Sequence, residues 1–525
     1  MSPDTRQSSP DGGSGDPIST RRNRPQESGS QRDITIFLLL YAAIVVTVAA
    51  MSVAPSVPFV LILGVIGIGL CLGSIWHGAI LVLLVTMLLP IIFAVRLGGS
   101  SFTFGRILLF ALTVGWLVNI KRPDRPIRPR RTPLDAPMAV ILVGLVTSTV
   151  ANLPRFNTIE LAGAIRKISL FAVDYFLLFW IVVTVLRDEQ RLRLFLRILA
   201  GAIAFTAALG LVEHFTGRNV FEYVVPVLPR SLGRVVTGVA KGSVLVRGRV
   251  SRVHSTFEQP LAFGIVLAMG LPLTTVFGFI ESQRRWRVAW AGATLFIASA
   301  ILFTASRSIY ILAAATFVTL VLALPERRLR ITAGVAAVGV LALFLAQHDV
   351  RETMIQFFQP RRGPQLEASL QHRVEDINPV LARVNHSPIF GYGPRTFAPD
   401  ELRTSHLLDN PDNLTLDNAY LGELAEGGVV GFLALVLLLM TAYVSGWRAY
   451  RRVSEPNAKL TRLGLVLVVQ NWILMGFVAD IYGFNAPPKL FFALLAGLAV
   501  TRAEHRSTAQ TRYAEAEDRH LLPPI

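Results

Sequence analysis

Long apolar blocks, separated mostly by short polar connections, dominate the chain. They fall at Ile34–Val53, Val57–Ser74, Ala79–Val95, Gly105–Ile120, Ala136–Leu153, Ile168–Leu186 and Leu194–Phe215. They continue at Leu261–Ile280, Val288–Thr304, Ile309–Leu324, Ile331–Ala346, Tyr420–Val444, Leu463–Ile481 and Lys489–Val500. A helix crosses a bilayer with ~20 mostly apolar residues, so about fourteen transmembrane helices are predicted. Backbone in lipid must satisfy its own hydrogen bonds, and continuous blocks rather than alternating ones exclude a barrel. The expected fold class is all-α, a polytopic integral membrane protein.

Two longer stretches, 216–260 and 347–417, hold no run that could span. The second is expected to be one long extracytoplasmic loop containing short helices. Residues 1–33, rich in Ser, Pro, Gly and charge, read as a disordered cytoplasmic tail. The run after them is long enough to span, so they do not read as a cleavable signal peptide. Residues 34–193 form a first set of transmembrane helices. Residues 194–500 form a second set that includes both long loops, and 501–525 form a polar cytoplasmic tail.

Composition supports the membrane reading. The 525 residues are 52% hydrophobic and only 16% charged, where soluble domains carry about 25% charge. The net charge of +17 does not point to nucleic acid. Basic residues concentrate in Lys121–Arg131, Arg187–Arg193, Glu281–Arg287, Pro325–Arg330 and Trp447–Arg462. With both termini in the cytoplasm, all these connections fall inside, as the positive-inside rule requires. The single cysteine, Cys71, lies in an apolar run and reads as a packed hydrophobe, with no disulfide partner in the chain.

The same topology leaves 154–167, 216–260, 305–308 and 347–417 outside. The 216–260 loop breaks the charge rule. It carries Arg218, Arg230, Arg234, Lys241, Arg247, Arg249 and Arg252 against Glu222 and Glu258. Either it meets an anionic group such as a phosphate or lipid head group, or its length lets it escape the rule. Arg166, Lys167 and Arg307 fall on the same side.

Four outward segments carry candidate chemistry: RGRVSRVHSTFEQPLAFG (247–264), TASRSIY (304–310), QHRVEDINPVLARVNHSPIFGYGPRTF (371–397) and DNAYLGELAEGGVVG (417–431). Gly391 and Gly393 permit positive φ and close backbone approach. Asp417 or Asn418 can cap the helix that follows. Glu426, about two turns on, enters the membrane, where a carboxylate lines a cavity or pairs with an arginine. Asp174, inside a span, faces a cavity or pairs with Arg166. His254, His372 and His406 read as exposed loop histidines.

Together these segments resemble the O-antigen ligase family, which also includes bacterial surface-polysaccharide polymerases. The resemblance runs over roughly Leu194 to Ile481. It rests on Thr256, Phe257, Pro260 and Gly264, on Ser306–Arg307, on Arg373 ahead of His386–Phe397, and on Asp417–Asn418 with Tyr420–Gly431 behind them. It implies a membrane glycosyltransferase that needs neither metal nor cofactor. The expected partners are a polyprenyl-diphosphate-linked oligosaccharide, a glycan acceptor, the bilayer, and polysaccharide export or chain-length proteins; nucleic acid is not among them. The expected location is the bacterial cytoplasmic (inner) membrane, with transfer at its outer face.

The resemblance assigns diphosphate binding to Arg252, Arg307 and Arg373. Arg166, Gly391, Gly393 and Asn418 complete the substrate-binding set, and Asp417 and Glu426 are the catalytic candidates. Ligases of the family carry histidine where this chain has Asp417. That departure leans toward a polymerase or another glycan transferase, with Asp417 either a general base or a helix cap. Two rivals remain open: a transporter or flippase for a lipid-linked glycan or other anionic solute, and an assembly factor that binds the carrier without chemistry.

Overall fold

The computed structural model describes residues 57–89, 94–97, 100–120, 130–219, 246–247, 250–324, 326–327, 330–332, 334–335, 338–339, 377–394 and 418–500. Both tails, the block Ile34–Val53, most of Ile331–Ala346 and much of both long loops lie outside the described residues. So do two of the candidate site residues, Arg373 and Asp417.

The described chain is helical apart from two short hairpins. In chain order the first elements are α1 (Val57–Gly73), α2 (Ile75–Leu88), β1 (Ala94–Leu97), β2 (Ser100–Thr103), α3 (Phe104–Ile120), α4 (Asp135–Asn152) and α5 (Thr158–Ser169). A π-helical stretch, Leu170–Leu177, leads into α6 (Leu178–Val185). Then come α7 (Glu189–Thr216), β3 (Val246–Arg247), β4 (Val250–Ser251), α8 (Pro260–Ile280), α9 (Arg284–Phe303) and α10 (Arg307–Ala323). The last are α11 (Ile377–Val384), α12 (Ala419–Arg452), α13 (Pro456–Gly476) and α14 (Ala486–Val500). The strands pair antiparallel, β1 with β2 and β3 with β4.

Seven described helical segments are long and apolar enough to cross a membrane: Asp135–Arg155, Glu160–Val185, Glu189–Thr216, Pro260–Ile280, Arg284–Phe303, Ala419–Arg452 and Pro456–Gly476. Shorter apolar helices run over Gly64–Gly73, Ile75–Leu88, Phe104–Ile120, Arg307–Ala323 and Ala486–Val500. The core is built around α8, which packs on α7, α9, α10 and α13, while α12 packs on α4 and α13. Aromatic side chains lock α14 in place. Phe491 stacks on Trp472 with centroids 4.2 Å apart, and Phe492 stacks on Tyr175 at 5.4 Å.

Three local features differ from the apolar pattern. The connection between α1 and α2 is a single residue, Ser74, which caps α2 through His77 N–H; Trp76 and His77 are helical. The block expected to run to Val95 ends at Leu88, and the chain turns into the β1–β2 hairpin. The stretch 154–167, expected as a loop, is largely helix α5 and runs through the π-helical stretch into α6. Lys167 ends the apolar run in sequence, but it does not end the helix, because two buried carboxylates neutralise it.

Three contacts join basic connections or their edges to one another. Arg197 pairs with Glu281 at 2.9 Å, Arg462 lies 3.7 Å from Glu189, and Arg130 reaches the Arg187 carbonyl at 3.5 Å. All of these residues come from the basic connections or their edges.

Candidate functional site

The long helix α12 is broken at Gly428, whose φ of 64° and ψ of −162° are not helical. An unbroken helix would bond Val429 N–H to the Ala425 carbonyl and Val430 N–H to the Glu426 carbonyl. Here Val429 N–H donates to Pro388 O (2.8 Å) and Val430 N–H to Ile389 O (3.3 Å). The two released carbonyls accept instead from Tyr392 N–H (3.0 Å) and Gly393 N–H (2.9 Å). The segment Pro388–Gly393 is thus a strap spliced into the hydrogen-bond ladder of the helix. Buried backbone groups must be paired, and the strap supplies new partners for these four groups.

Side chains fix the splice. The Ser148 hydroxyl shares its proton between Phe390 O (2.6 Å) and Glu426 O (2.9 Å), and Asn152 Nδ2 donates to Gly391 O (3.1 Å). Val380 and Val384 of α11 pack on Ala425, beside Tyr392 and Leu424. Gly391 and Gly393 both have positive φ, 64° and 102°. A Cβ at Gly391 would lie 2.5 Å from Gly428 N, and one at Gly393 would lie 2.1 Å from the Phe156 ring. The groups these glycines approach are therefore the α12 break and Phe156.

The half-helix before the break carries a buried ion cluster. Lys167 Nζ, projecting from α5, lies 2.5 Å from Glu423 Oε1 and 2.7 Å from Glu426 Oε2. The partner of Glu426 is thus a lysine, not an arginine. At the tip, Asn418 is the N-cap: its Oδ1 accepts from Tyr420 N–H (2.9 Å) and Leu421 N–H (3.0 Å). The same turn is held from below, where Ala419 N–H donates to Ala479 O (3.1 Å).

Asp480 follows at once. Its side chain reaches the surface, yet protein crowds it on the other sides, so it occupies a recess. That loss of water, with the Glu426 and Glu423 carboxylates, pushes its carboxyl up to about 6 against the opposing pull of Lys167.

A second neighbourhood gathers arginines. Arg252 Nε donates to Thr304 O (3.0 Å) and Val253 N–H to Phe303 O (3.1 Å), which places Arg252 at the turn opening α10 with Arg307. Ser255 (φ 53°) and Ala305 (φ 48°) both hold positive φ without being glycine. Such strain persists where the surroundings over-determine it, and it clusters at functional sites. Buried Glu213 enforces it at Ser255: one carboxylate oxygen accepts from Ser255 N–H (2.7 Å), the other from His254 N–H (3.3 Å). His254, expected as an exposed loop histidine, is buried and lies 3.7 Å from Glu213.

The turn between α13 and α14 links the two neighbourhoods. Asp480 belongs to the first. Asn485 N–H donates to Glu258 Oε1 (3.1 Å), and Lys489 Nζ donates to Asn485 Oδ1 (2.9 Å). Burial holds the Glu258 carboxyl above the usual range. Lys489 also lies 3.4 Å from Asp174, which pairs with Arg106 at 2.8 Å; these take the place of the expected Arg166.

Structure therefore brings Gly391, Gly393, Asn418 and Glu426 into one neighbourhood, and Arg252 and Arg307 into another. Arg166 adjoins Lys167 on α5. Sequence reading missed Glu423, Asp480, Glu258, Asn485 and Lys489. Their available signal was ionisable or amide side chains within or beside apolar runs.

This is a polytopic helical membrane protein whose candidate site joins a strapped, broken helix to an arginine-bearing turn. A family model described as O-Antigen ligase matches residues 292–436, which span the α10 turn, the strap and the break. Over those residues the chain is similar to the O-antigen ligase family, and that family implies glycan ligation or polymerisation in surface-polysaccharide assembly. No curated protein sequence matches the chain.

Proposed function

We propose that the chain transfers or polymerises oligosaccharide from a polyprenyl-diphosphate carrier onto a glycan acceptor, at the outer face of the bacterial cytoplasmic membrane and without a metal. The observation that carries this reading is the family match over 292–436, the segment that holds Arg307, the strap and the α12 break. In the reaction an acceptor hydroxyl oxygen attacks the anomeric carbon. The bond from that carbon to the diphosphate oxygen breaks, and polyprenyl diphosphate leaves with the electron pair.

The charge distribution suits this division of labour. Arg252 and Arg307, with Arg373 from the long loop, are assigned in this proposal to the negative charge that develops on the leaving group. Arginine is permanently charged and binds phosphate oxygens in a bidentate manner, and a preorganised set of such donors stabilises the transition state. The acidic neighbourhood around Glu423, Glu426 and Asp480 is suited to hydroxyls instead. Asp417 is the candidate base for the acceptor proton. Arg166, Gly391, Gly393 and Asn418 complete the proposed substrate-binding set.

Deletion of the gene in its host tests this, with surface glycans analysed by gel and mass spectrometry. Single repeat units left on a carrier or acceptor indicate a polymerase. Full-length polymer trapped on its carrier indicates a ligase. Unchanged glycans contradict both.

A further inference from the structure

We propose that Lys167 is a positioning residue for the acceptor step: it aims the half-helix Ala419–Gly427, with Asn418 at its tip, toward the reacting centre. This rests on the glycosyl-transfer reading above.

The geometry makes the half-helix a separate lever. At Gly428 the backbone leaves helical geometry, and the two helical bonds across the break are replaced by bonds to the strap. The shaft of α12 therefore does not dictate the direction of the half-helix. Besides the bonds from Tyr420 Oη to Ile473 O (2.8 Å) and from Ser148 Oγ to Glu426 O (2.9 Å), three attachments do. One is the strap at Ala425–Glu426, and another is Ala479 O under Ala419 N–H. The third is Lys167, which grips Glu423 and Glu426 at once.

Glu423 and Glu426 are three residues apart and share one face of the helix. A single ammonium between them fixes rotation about the helix axis as well as distance. Lys167 comes from α5, a different wall of the site, and its side chain is 12% exposed, so water cannot replace it at low cost. The strap and the tip bond hold backbone at the two ends of the lever. Tyr420 anchors the first turn through Ile473 O, and Lys167 is the ionic attachment, acting on two side chains nearer the break; small misplacements of a catalytic group are costly in rate.

The test uses the full chain purified in detergent, a polyprenyl-diphosphate-linked oligosaccharide and an acceptor glycan. Lys167→Met is expected to lower kcat roughly tenfold or more, since misplacement acts on the transition state, while KM for the carrier stays within about twofold. Lys167→Arg is expected to recover part of kcat. A purely structural role would lower the folded yield and leave turnover per folded molecule unchanged. If Lys167→Met does not fold, Glu423→Gln, which keeps the Lys167–Glu426 pair, is expected to show the same split. Wild-type turnover from the folded variants overturns the proposal.

A second readout does not depend on turnover, so it separates this inference from the proposed function. Spin labels at positions 422 and 153, in a Cys71→Ser background, report the distance from half-helix to the C-terminal cap of α4. Lys167→Met, or Glu423→Gln in its place, is expected to broaden that distribution. A distribution as narrow as wild type overturns the proposal even if the wild type proves inactive. Absence of wild-type turnover alone counts against the proposed function.

Discussion

Gly391 and Gly428 meet backbone to backbone. A Cβ on Gly391 would lie 2.5 Å from Gly428 N, and one on Gly428 would lie 2.6 Å from Gly391 N and 2.3 Å from Ile389 O. Both residues have φ of 64°. Neither can gain a methyl group without parting the strap from the helix. Gly391→Ala or Gly428→Ala is expected to destabilise by at least about 1–2 kcal/mol from the left-handed backbone alone, with the steric cost added. The double variant should cost less than the sum, because both act on one contact. Unfolding in detergent checks this, and additive losses would contradict it.

Asp174 holds two cations, the partly buried Arg106 at 2.8 Å and the buried Lys489 at 3.4 Å. Asp174→Asn leaves both without their carboxylate. Breaking a buried pair this way typically costs about 3–5 kcal/mol. The same unfolding measurement reads it, and a loss under about 1 kcal/mol, the size of an exposed ion pair, would show that the cluster is hydrated.

Asp480 makes stability pH-dependent. In the folded chain it keeps its proton up to about pH 6; in the unfolded chain it keeps it only to about pH 4. Within that window the folded state binds more protons, so its contribution to stability is full below about pH 4 and is lost as pH rises to about 6. Because the carboxyl reaches the surface, solvent screening blunts the slope. Asp480→Asn should flatten the midpoint-against-pH curve in this window. An unchanged slope in the variant would assign it to another group.

Arg307 and Arg252 are expected to act on the donor. Loss of charge-assisted hydrogen bonds costs about 1.5–3 kcal/mol each, so Arg307→Ala should raise KM for the carrier by roughly tenfold to a hundredfold. Arg307→Lys should restore little, since lysine lacks the bidentate fork. If Arg307→Ala leaves surface glycan length unchanged, the chain binds the carrier without chemistry.

Much of the helical plan was legible because it depends on composition along the chain. The blocks from Leu194 to Ile280 and from Tyr420 to Val500 correspond to described helices. The strap glycines could be read as sites of close approach, but the group they approach could not, since Gly428 lies in another helix and the pairing is tertiary. Lys167 misled the pattern for the same reason: a charge ends an apolar run, and only the fold reveals the two carboxylates that neutralise it. The Asn418 cap is local and was one of two readable choices. The role of Asp480 depends on a recess formed by neighbours distant in sequence, and no local pattern marks it.

The most direct test of the account is transfer by the purified chain. It would be incubated with polyprenyl-diphosphate-linked oligosaccharide and an acceptor glycan, and the products read by mass spectrometry. The account predicts an extended acceptor and free polyprenyl diphosphate in equal amounts, both strongly reduced in Arg307→Ala and Asp417→Asn. Carrier-linked glycan that stays intact, with folded protein and acceptor present, would contradict it.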